Sequence, residues 1–341
     1  MYLSKFMRKS NIISFNNKTM HTHKDIENKS VFLINGTKNQ VFKVQNGFLC
    51  IVNSETRKAI TKLPFPKMLC IMVIGHSSIT TSFIEHANKH GVPIVVLKPN
   101  FKTVYSFGNM AEGNYLLRQK QHLRDKGNLD IAKWLILNKI DNCKAVLAKT
   151  KRKSKAIEKF DKSCEPYSRY ILSCDTLLRL MAAEGRIASY YFAALFEPYG
   201  WKKRVPRAKA DYINAALDIG YTFLFNFIEA NCRFFGFDLY VGVLHQLWFQ
   251  RKSLVCDLQE PFRCIIDRCL YLAMQKGIVL EEDFKLFKGS YYLQLDSKRK
   301  LTHLFYEAII EFKMPIYIYI QAYYRSFMKQ VDMNDYPKFK L

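Results

Sequence analysis

Residues 173–196 read SCDTLLRLMAAEGRIASYYFAALF. The stretch holds no proline, one glycine and only two β-branched residues, so it forms a helix readily along its length. On that helix Leu177, Leu180, Met181, Glu184, Ala188, Tyr191 and Leu195 fall on one face. The face is apolar except for Glu184. A carboxylate among apolar side chains is costly unless it is paired or bound to a metal. The ordinary reading is a salt bridge to Arg186 or Arg179, or a place at the exposed edge of the face. The chemical reading is a metal ligand.

Outward from this helix the helical period extends over 110–341, through NYLLRQKQHLRDK, IAKWLILNKIDNCKAVLAKTKRK and YINAALDIGYTFLFNFIEANCRFFG. Gly and Pro gather at the joints, as in EPYG. The charge-dense run 144–162 reads as a loop or a solvated helix. Residues 31–107 have a different texture. VFLING, VFKVQNGFLCIV, KMLCIMVIG, VPIVVLKP and KTVYSFG are short, rich in β-branched and aromatic residues, and bounded by Asn, Gly or Pro. Asn46-Gly47 predicts a hairpin turn. One helix, SITTSFIEHANKHG, intrudes, with Ser78 placed to cap it and Gly91 to end it. The expectation is an α+β chain. A basic flexible arm covers 1–30, with Met20 as an alternative start. A small, mainly β, sandwich-like domain follows over 31–108, and an all-helical catalytic domain over 109–341. A length of 341 residues suits two domains.

The chain carries 53 Lys+Arg against 29 Asp+Glu, a formal net charge of +24. Such a charge favours a polyanionic partner, nucleic acid first and an anionic membrane surface second. The lysines are not segregated opposite a wide apolar helix face, which argues against the membrane surface. No apolar run approaches the ~20 residues needed to span a bilayer. The N-terminus lacks the continuous apolar core of a secretory signal. Nine cysteines without a C-x-x-C pair read as reduced thiols of a cytoplasmic protein, not as a zinc site.

Three more side chains stand out. His245 ends the apolar run Gly242-Val243-Leu244, and Asp257 and Glu260 follow at helical spacing. Taken singly each has a plain explanation. The histidine is a packed ring, and the acids complement a helix dipole beside Pro261. Taken with Glu184, two carboxylates and an imidazole make a donor set for Mg²⁺ or Mn²⁺. In a basic protein such an ion works on phosphodiesters. The loop WKKRVPRAK (201–209) offers Lys202, Lys203, Arg204 and Arg207 to backbone phosphates, or is simply solvated. Tyr190, Tyr191 and Phe192 read as core, with base stacking as the lesser reading.

Four stretches in order, AAEGRIASYYF, DYINAALDIGY, GVLH and SLVCDLQEPFR, resemble the CRISPR-associated integrase of the spacer-adaptation module. In the first domain VIGHSSITTSFIEHANKHGVPIVVL looks like that family's strand–helix–strand segment. The resemblance covers about residues 31–330. One departure is Tyr212, where the family usually has proline after the aspartate. The resemblance implies a β-sandwich that mediates dimerisation and partner contact, followed by a helical catalytic domain. It implies that Glu184, His245 and Glu260 are the catalytic metal ligands and that Asp257 supports them. It implies insertion of short DNA fragments into a CRISPR array by attack of a 3′-hydroxyl on a phosphodiester. Double-stranded DNA would be the substrate, as spacer precursor and as repeat. The protein would be a homodimer, bridged by a small second adaptation protein into a heterohexamer. Two other readings compete. One is a standalone structure-selective nuclease acting on branched DNA. The other is a non-catalytic basic DNA-binding scaffold.

Overall fold

A computed structural model describes residues 22–99, 101, 103–108, 114–124 and 128–341. Most of the expected arm, with Met20, lies outside the described residues. Its described end is not an arm. Thr22 and Asp25 form a capping box that starts α1 (His23–Asn28). Ile26 of α1 is fully buried, and His23 Nε2 lies 3.0 Å from the Gln321 side-chain oxygen near the far end of the chain.

The strand-rich part follows: β1 (Ser30–Gly36), β2 (Gln40–Gln45), β3 (Phe48–Asn53), β4 (Ala59–Pro64), β5 (Met68–Gly75), β6 (Ser78–Ile79), α2 (Thr81–Lys89), β7 (Ile94–Leu97) and β8 (Thr103–Phe107). They form two four-stranded sheets, in the orders β1-β5-β7-β8 and β4-β3-β2-β6. The Asn46-Gly47 turn closes β2 onto β3, with both residues at positive φ as a two-residue hairpin requires. The helix after β6 is capped by the Thr80 hydroxyl; Ser78 is instead paired in β6 with Val41. In the first sheet β1, β5 and β7 run parallel and β8 returns antiparallel. Its central strand, MLCIMVIG, is buried on both faces, which explains why it shows no polar alternation. Met68, Ile71 and Val73 enter a small core with Phe42, Leu49 and Phe83. Leu69, Cys70, Met72 and Ile74 face the helices and join the large core.

The rest is helical: α3 (Tyr115–Leu123), α4 (Asn128–Lys149), α5 (Lys155–Ser173), α6 (Leu177–Leu195), α7 (Tyr212–Phe235), α8 (Ser253–Gln259), α9 (Arg263–Gln275), α10 (Leu295–Glu311) and α11 (Lys313–Lys329). One exception corrects the all-helical expectation. The hairpin of β9 (Phe284–Phe287) and β10 (Ser290–Leu293) interrupts it. The charged run 144–162 is the end of α4 and the start of α5, with a short break at 150–154. Among the described residues no helix is long and apolar enough to cross a membrane.

Helix α4 lies at the centre of this part. Its buried residues include Lys133, Asn138, Lys139 and Asn142. Asn138 and Asn142 are bonded to the backbone of the chain's last residues. Asn138 donates to the Phe339 carbonyl (2.7 Å) and accepts from its N–H (2.8 Å). Asn142 donates to the Phe339 carbonyl (3.0 Å) and to that of Pro261 (3.3 Å). The tail, α4 and the turn after α8 are thereby tied together. All nine cysteines are free. Burial pushes the Cys70 thiol up to about 12 and the Cys256 thiol up to about 11, so neither is a ready nucleophile.

Candidate active site

Helix α7 ends on Gly236 in the left-handed conformation. The chain then runs without regular structure to Ser253. Three consecutive N–H groups of this loop point at one carboxylate, that of Asp257 in α8. Val243 and Leu244 donate to Oδ2 at 2.6 and 3.0 Å, and His245 donates to Oδ1 at 2.9 Å. Gly242 is required there, because a Cβ would stand 2.4 Å from Asp257 Oδ2. The imidazole uses the same carboxylate, with Nδ1 2.6 Å from Oδ1. An ionised carboxylate only accepts, so Nδ1 carries the proton and Nε2 keeps its lone pair. Asp257 thus fixes the position and the tautomer of His245.

Glu260 lies one turn beyond Asp257. A single 3-10 turn, Glu260–Phe262, carries the chain from α8 into α9 with Pro261 in its first turn. The helix therefore continues in direction, and both acids stay on its inner side, fully or nearly buried. Glu184 arrives from α6. The two glutamates meet at one cation. Lys139 Nζ of α4 lies 2.5 Å from Glu184 Oε1 and 2.6 Å from Glu260 Oε2. Arg263 Nη1 holds the other Glu260 oxygen at 3.1 Å. Burial alone would raise the Glu260 carboxyl, but the charges of Arg263 and Lys139 outweigh it and hold the group well below its usual range. Burial would likewise strip the Lys139 ammonium of its proton. The Glu184 and Glu260 carboxylates reverse this and raise it.

The salt-bridge partner expected for Glu184 is therefore Lys139, not Arg186 or Arg179; Arg179 pairs with Asp175 at 3.0 Å. The buried face of α6 is also turned from the expected one. It consists of Leu180, Ala183, Ile187, Tyr191, Phe192, Ala194 and Leu195, so Leu180, Tyr191 and Leu195 are buried as expected, whereas Met181 is exposed and Glu184 sits at the margin with its side chain 24% exposed. A marginal carboxylate can reach solvent and substrate, which a buried one cannot. Sequence reasoning missed Lys139, although the signal was of the same kind. In LILNKIDNC a lysine shares a helix face with Leu135, Ile136 and Cys143, all buried.

A further buried acid stands behind the site. Asp267 of α9 accepts from the Tyr191 hydroxyl at 3.1 Å and from the Tyr221 hydroxyl. Burial pushes its carboxyl up to about 6, against the opposing effect of Tyr221, Arg263 and Tyr191. The Tyr221 ring lies under the guanidinium of Arg263 at 4.1 Å and near that of Arg204 at 5.5 Å. Tyr191 and Phe192 are core residues.

The loop 201–209 is stitched to the start of α7. Asp211 caps that helix and accepts from the Trp201 indole at 3.1 Å. Asn214 accepts from the Val205 N–H at 2.9 Å and donates to the Lys203 carbonyl at 3.0 Å. Arg204 is consumed in this framework. Its guanidinium contacts Asp218 at 2.5 Å and Asn214 at 2.8 Å, so it braces the loop instead of facing phosphate. Lys202, Lys203 and Arg207 are exposed. Arg207 acts electrostatically on Cys256 of α8, beside the site.

Among the described residues no three Cys, His, Asp or Glu side chains form a ready metal cage. The donor chemistry nevertheless suits a hard divalent cation. Glu184 and Glu260 already converge on an ammonium, and His245 presents a free Nε2. Lys139 stands between the two carboxylates, and a bound ion would have to displace it.

Residues 34–307 match the family model described as CRISPR associated protein Cas1. CRISPR-associated endonuclease Cas1 1 of Thermodesulfovibrio yellowstonii is 27% identical over 285 residues, covering 80% of this chain and 89% of the relative. Among solved structures, a Cas1 protein from Thermotoga maritima superposes with a TM-score of 0.76 at 18% identity, over 89% of this chain and 99% of that one. A casposase bound to integration product gives 0.75 at 19% identity, over 91% and 94%. A Cas6-RT-Cas1–Cas2 complex gives 0.75 at 18%, over 92% of this chain and 36% of that one. These likenesses confirm the order of a strand-rich part followed by a helical one. The chain belongs to the Cas1 family of CRISPR-associated endonucleases.

Proposed function

We propose that this protein joins short DNA fragments into a CRISPR array as new spacers, by metal-dependent transesterification. The observation that carries the reading is the convergence of Glu184 and Glu260 on one cation, beside an imidazole oriented by Asp257. Glu184, His245 and Glu260 would hold Mg²⁺ or Mn²⁺. When bound, the ion offsets negative charge on the reacting phosphate and favours the ionised form of the attacking oxygen.

The protein's own residues prepare this arrangement. Arg263 keeps Glu260 ionised despite its burial. Lys139 holds the two glutamates together and offsets part of their charge. Asp257 retains the Nδ1 proton so that Nε2 faces the site as a lone pair. In the joining step the 3′-hydroxyl loses its proton as its oxygen bonds to phosphorus. The displaced 3′-oxygen of the opened strand takes one up. Water in place of the hydroxyl gives cleavage. Lys202, Lys203 and Arg207 are assigned to backbone phosphates, a contact that needs only positive charge nearby. The strand-rich part serves dimerisation, and a small second adaptation protein bridges two dimers into a heterohexamer. The Cas1–Cas2 assembly among the structural neighbours supports that partner, and the casposase supports integration.

The test is strand transfer of a short duplex into a supercoiled plasmid carrying a repeat, with Mg²⁺ or Mn²⁺, with and without the partner. Joined product that needs metal and disappears in Glu184→Gln, while DNA binding persists, supports the reading. Metal-dependent cutting without joining, even with the partner present, favours the standalone nuclease instead.

A further inference from the structure

One row of side chains on α4 holds the chain's last residues. Trp134, Asn138 and Asn142 stand at i, i+4 and i+8 and so share a helix face. The Trp134 indole donates to the Tyr336 and Pro337 carbonyls, each at 3.1 Å. Asn138 pairs with both backbone groups of Phe339. Asn142 donates to the Phe339 carbonyl and accepts from the Leu341 N–H at 2.9 Å. Residues 336–341 belong to no helix or strand. The α4 side chains satisfy backbone groups that a neighbouring strand would otherwise hold. A buried asparagine in mid-helix is costly unless its amide is bonded. Asn138 and Asn142 are both buried, and both are bonded to the tail.

The tail reaches the candidate site by two routes. Asn142 Nδ2 also donates to the carbonyl of Pro261, the residue after Glu260, at 3.3 Å. Phe339, itself buried, sets its ring 4.7 Å from that of the fully buried Phe262. Pro261 and Phe262 complete the turn that Glu260 opens. Neither that turn nor α9 after it has a side-chain cap at its start. The placing of Glu260 therefore depends on what packs against the turn. Lys139, the neighbour of Asn138 on α4, meets Glu260 Oε2 at 2.6 Å. One helix thus holds the tail with one row of side chains and the site with the next.

We propose that residues 336–341 are a positioning element for the candidate site: seated along α4, they fix the turn that carries Glu260 and so the approach of its carboxylate to that of Glu184. The consequence for metal binding and joining rests on the functional reading above; the seating of the turn does not.

The test is hydrogen exchange of the metal-free full chain, followed at the turn (258–264) and along α7, in wild type and variants. Phe339→Ala removes the ring against Phe262. Both Asn138 side-chain bonds go to Phe339, so Asn138→Ser loosens the tail without touching the turn. Phe42→Leu, in the separate core of the strand-rich part, is the control for lost stability. Phe339→Ala and Asn138→Ser are expected to speed exchange at the turn about 10-fold and leave α7 unchanged. Calorimetry should show Mn²⁺ binding weakened about 10-fold in both, with strand transfer lowered alongside. Phe42→Leu should lower the unfolding temperature and move neither readout. Phe339→Leu, which refills the pocket, should recover most of the Mn²⁺ affinity. Unchanged exchange at the turn, or exchange that rises evenly along the chain, overturns the proposal. So does a loosened turn with wild-type Mn²⁺ affinity. Should Phe339→Ala not fold, Asn138→Ser decides by the same criteria. If wild type itself binds no Mn²⁺ and joins no DNA, the metal reading fails, and exchange at the turn alone decides whether the tail seats it.

Discussion

Two clusters of acid and base lie within the helical part, and they are built differently. Glu229 of α7 is fully buried. Lys252 Nζ reaches both its oxygens at 2.6 Å, Arg233 Nη2 holds one at 2.9 Å, and the Ser106 hydroxyl of β8 donates to it at 2.8 Å. One carboxylate has two dedicated cations. At the other cluster Lys139 is divided between Glu184 and Glu260, Arg263 holds only Glu260, and Asp257 is bound by backbone N–H groups and the His245 ring. Here no cation is dedicated to Glu184 alone, and Glu184 and His245 open to solvent. The saturated cluster ties β8 to α7 and to the base of the 246–252 loop. The other offers a divalent ion two carboxylates that a single shared ammonium holds together. A buried carboxylate is a strut when its counter-ions are dedicated to it and a candidate ligand when it shares one that an ion can displace.

The comparison breaks or sharpens on substitution. Glu184→Gln is expected to lower strand transfer by about 10³-fold or more, the loss of several kcal/mol of charge stabilisation, with little change in unfolding temperature. Plasmid joining and thermal denaturation on the same preparations would read both. Glu229→Gln should do the opposite. It leaves Lys252 and Arg233 facing an uncharged group, which costs about 3–5 kcal/mol of stability in urea unfolding. Activity per folded molecule should be kept. A Glu229→Gln protein of normal stability would show that Lys252 and Arg233 do not depend on it as described.

The Asp267 carboxyl gives a pH test. Its folded value is about 6, above the ordinary carboxylate value of 3.8. Stability from this group is complete below pH 3.8 and is lost as pH rises through 6. The total loss is about 3 kcal/mol by neutral pH. Wild type should therefore lose that much between pH 4 and pH 7 relative to Asp267→Asn, measured by urea denaturation at each pH. A gap that widens in wild type's favour over that range would contradict it. Asp257→Asn exchanges one of the two accepting oxygens for an NH2 donor, so the side chain no longer serves all four N–H groups and the His245 tautomer is no longer fixed; metal affinity should fall about 10–100-fold.

The fold was largely legible in the sequence, because its signals are local. The change of hydrophobic period near residue 108 separates strands from helices, and Asn46-Gly47 places its hairpin. The parallel order β1-β5-β7 was not legible. Strand pairing depends on contacts distant in sequence, and MLCIMVIG, buried on both faces, carries no alternation to reveal them. For the site, Glu184 was conspicuous as a charge on an apolar stripe, although its helix is rotated enough to leave it at the margin. Lys139 went unnoticed because a lysine on a long helix is ordinarily solvated, and only the packing of α4 against α6 and the Glu260 turn makes it a buried counter-ion. Arg204 looked like its basic neighbours. Its role depends on Asp218, two turns along another element, which the local composition does not show.

The most direct test of the central claim is a calorimetric titration of Mn²⁺ into the wild-type protein and the Glu184→Gln and Glu229→Gln variants. Wild type and Glu229→Gln should each bind an ion at a site that Glu184→Gln lacks. Equal binding by all three, or no binding by any, would contradict the assignment of Glu184, His245 and Glu260 as a metal site.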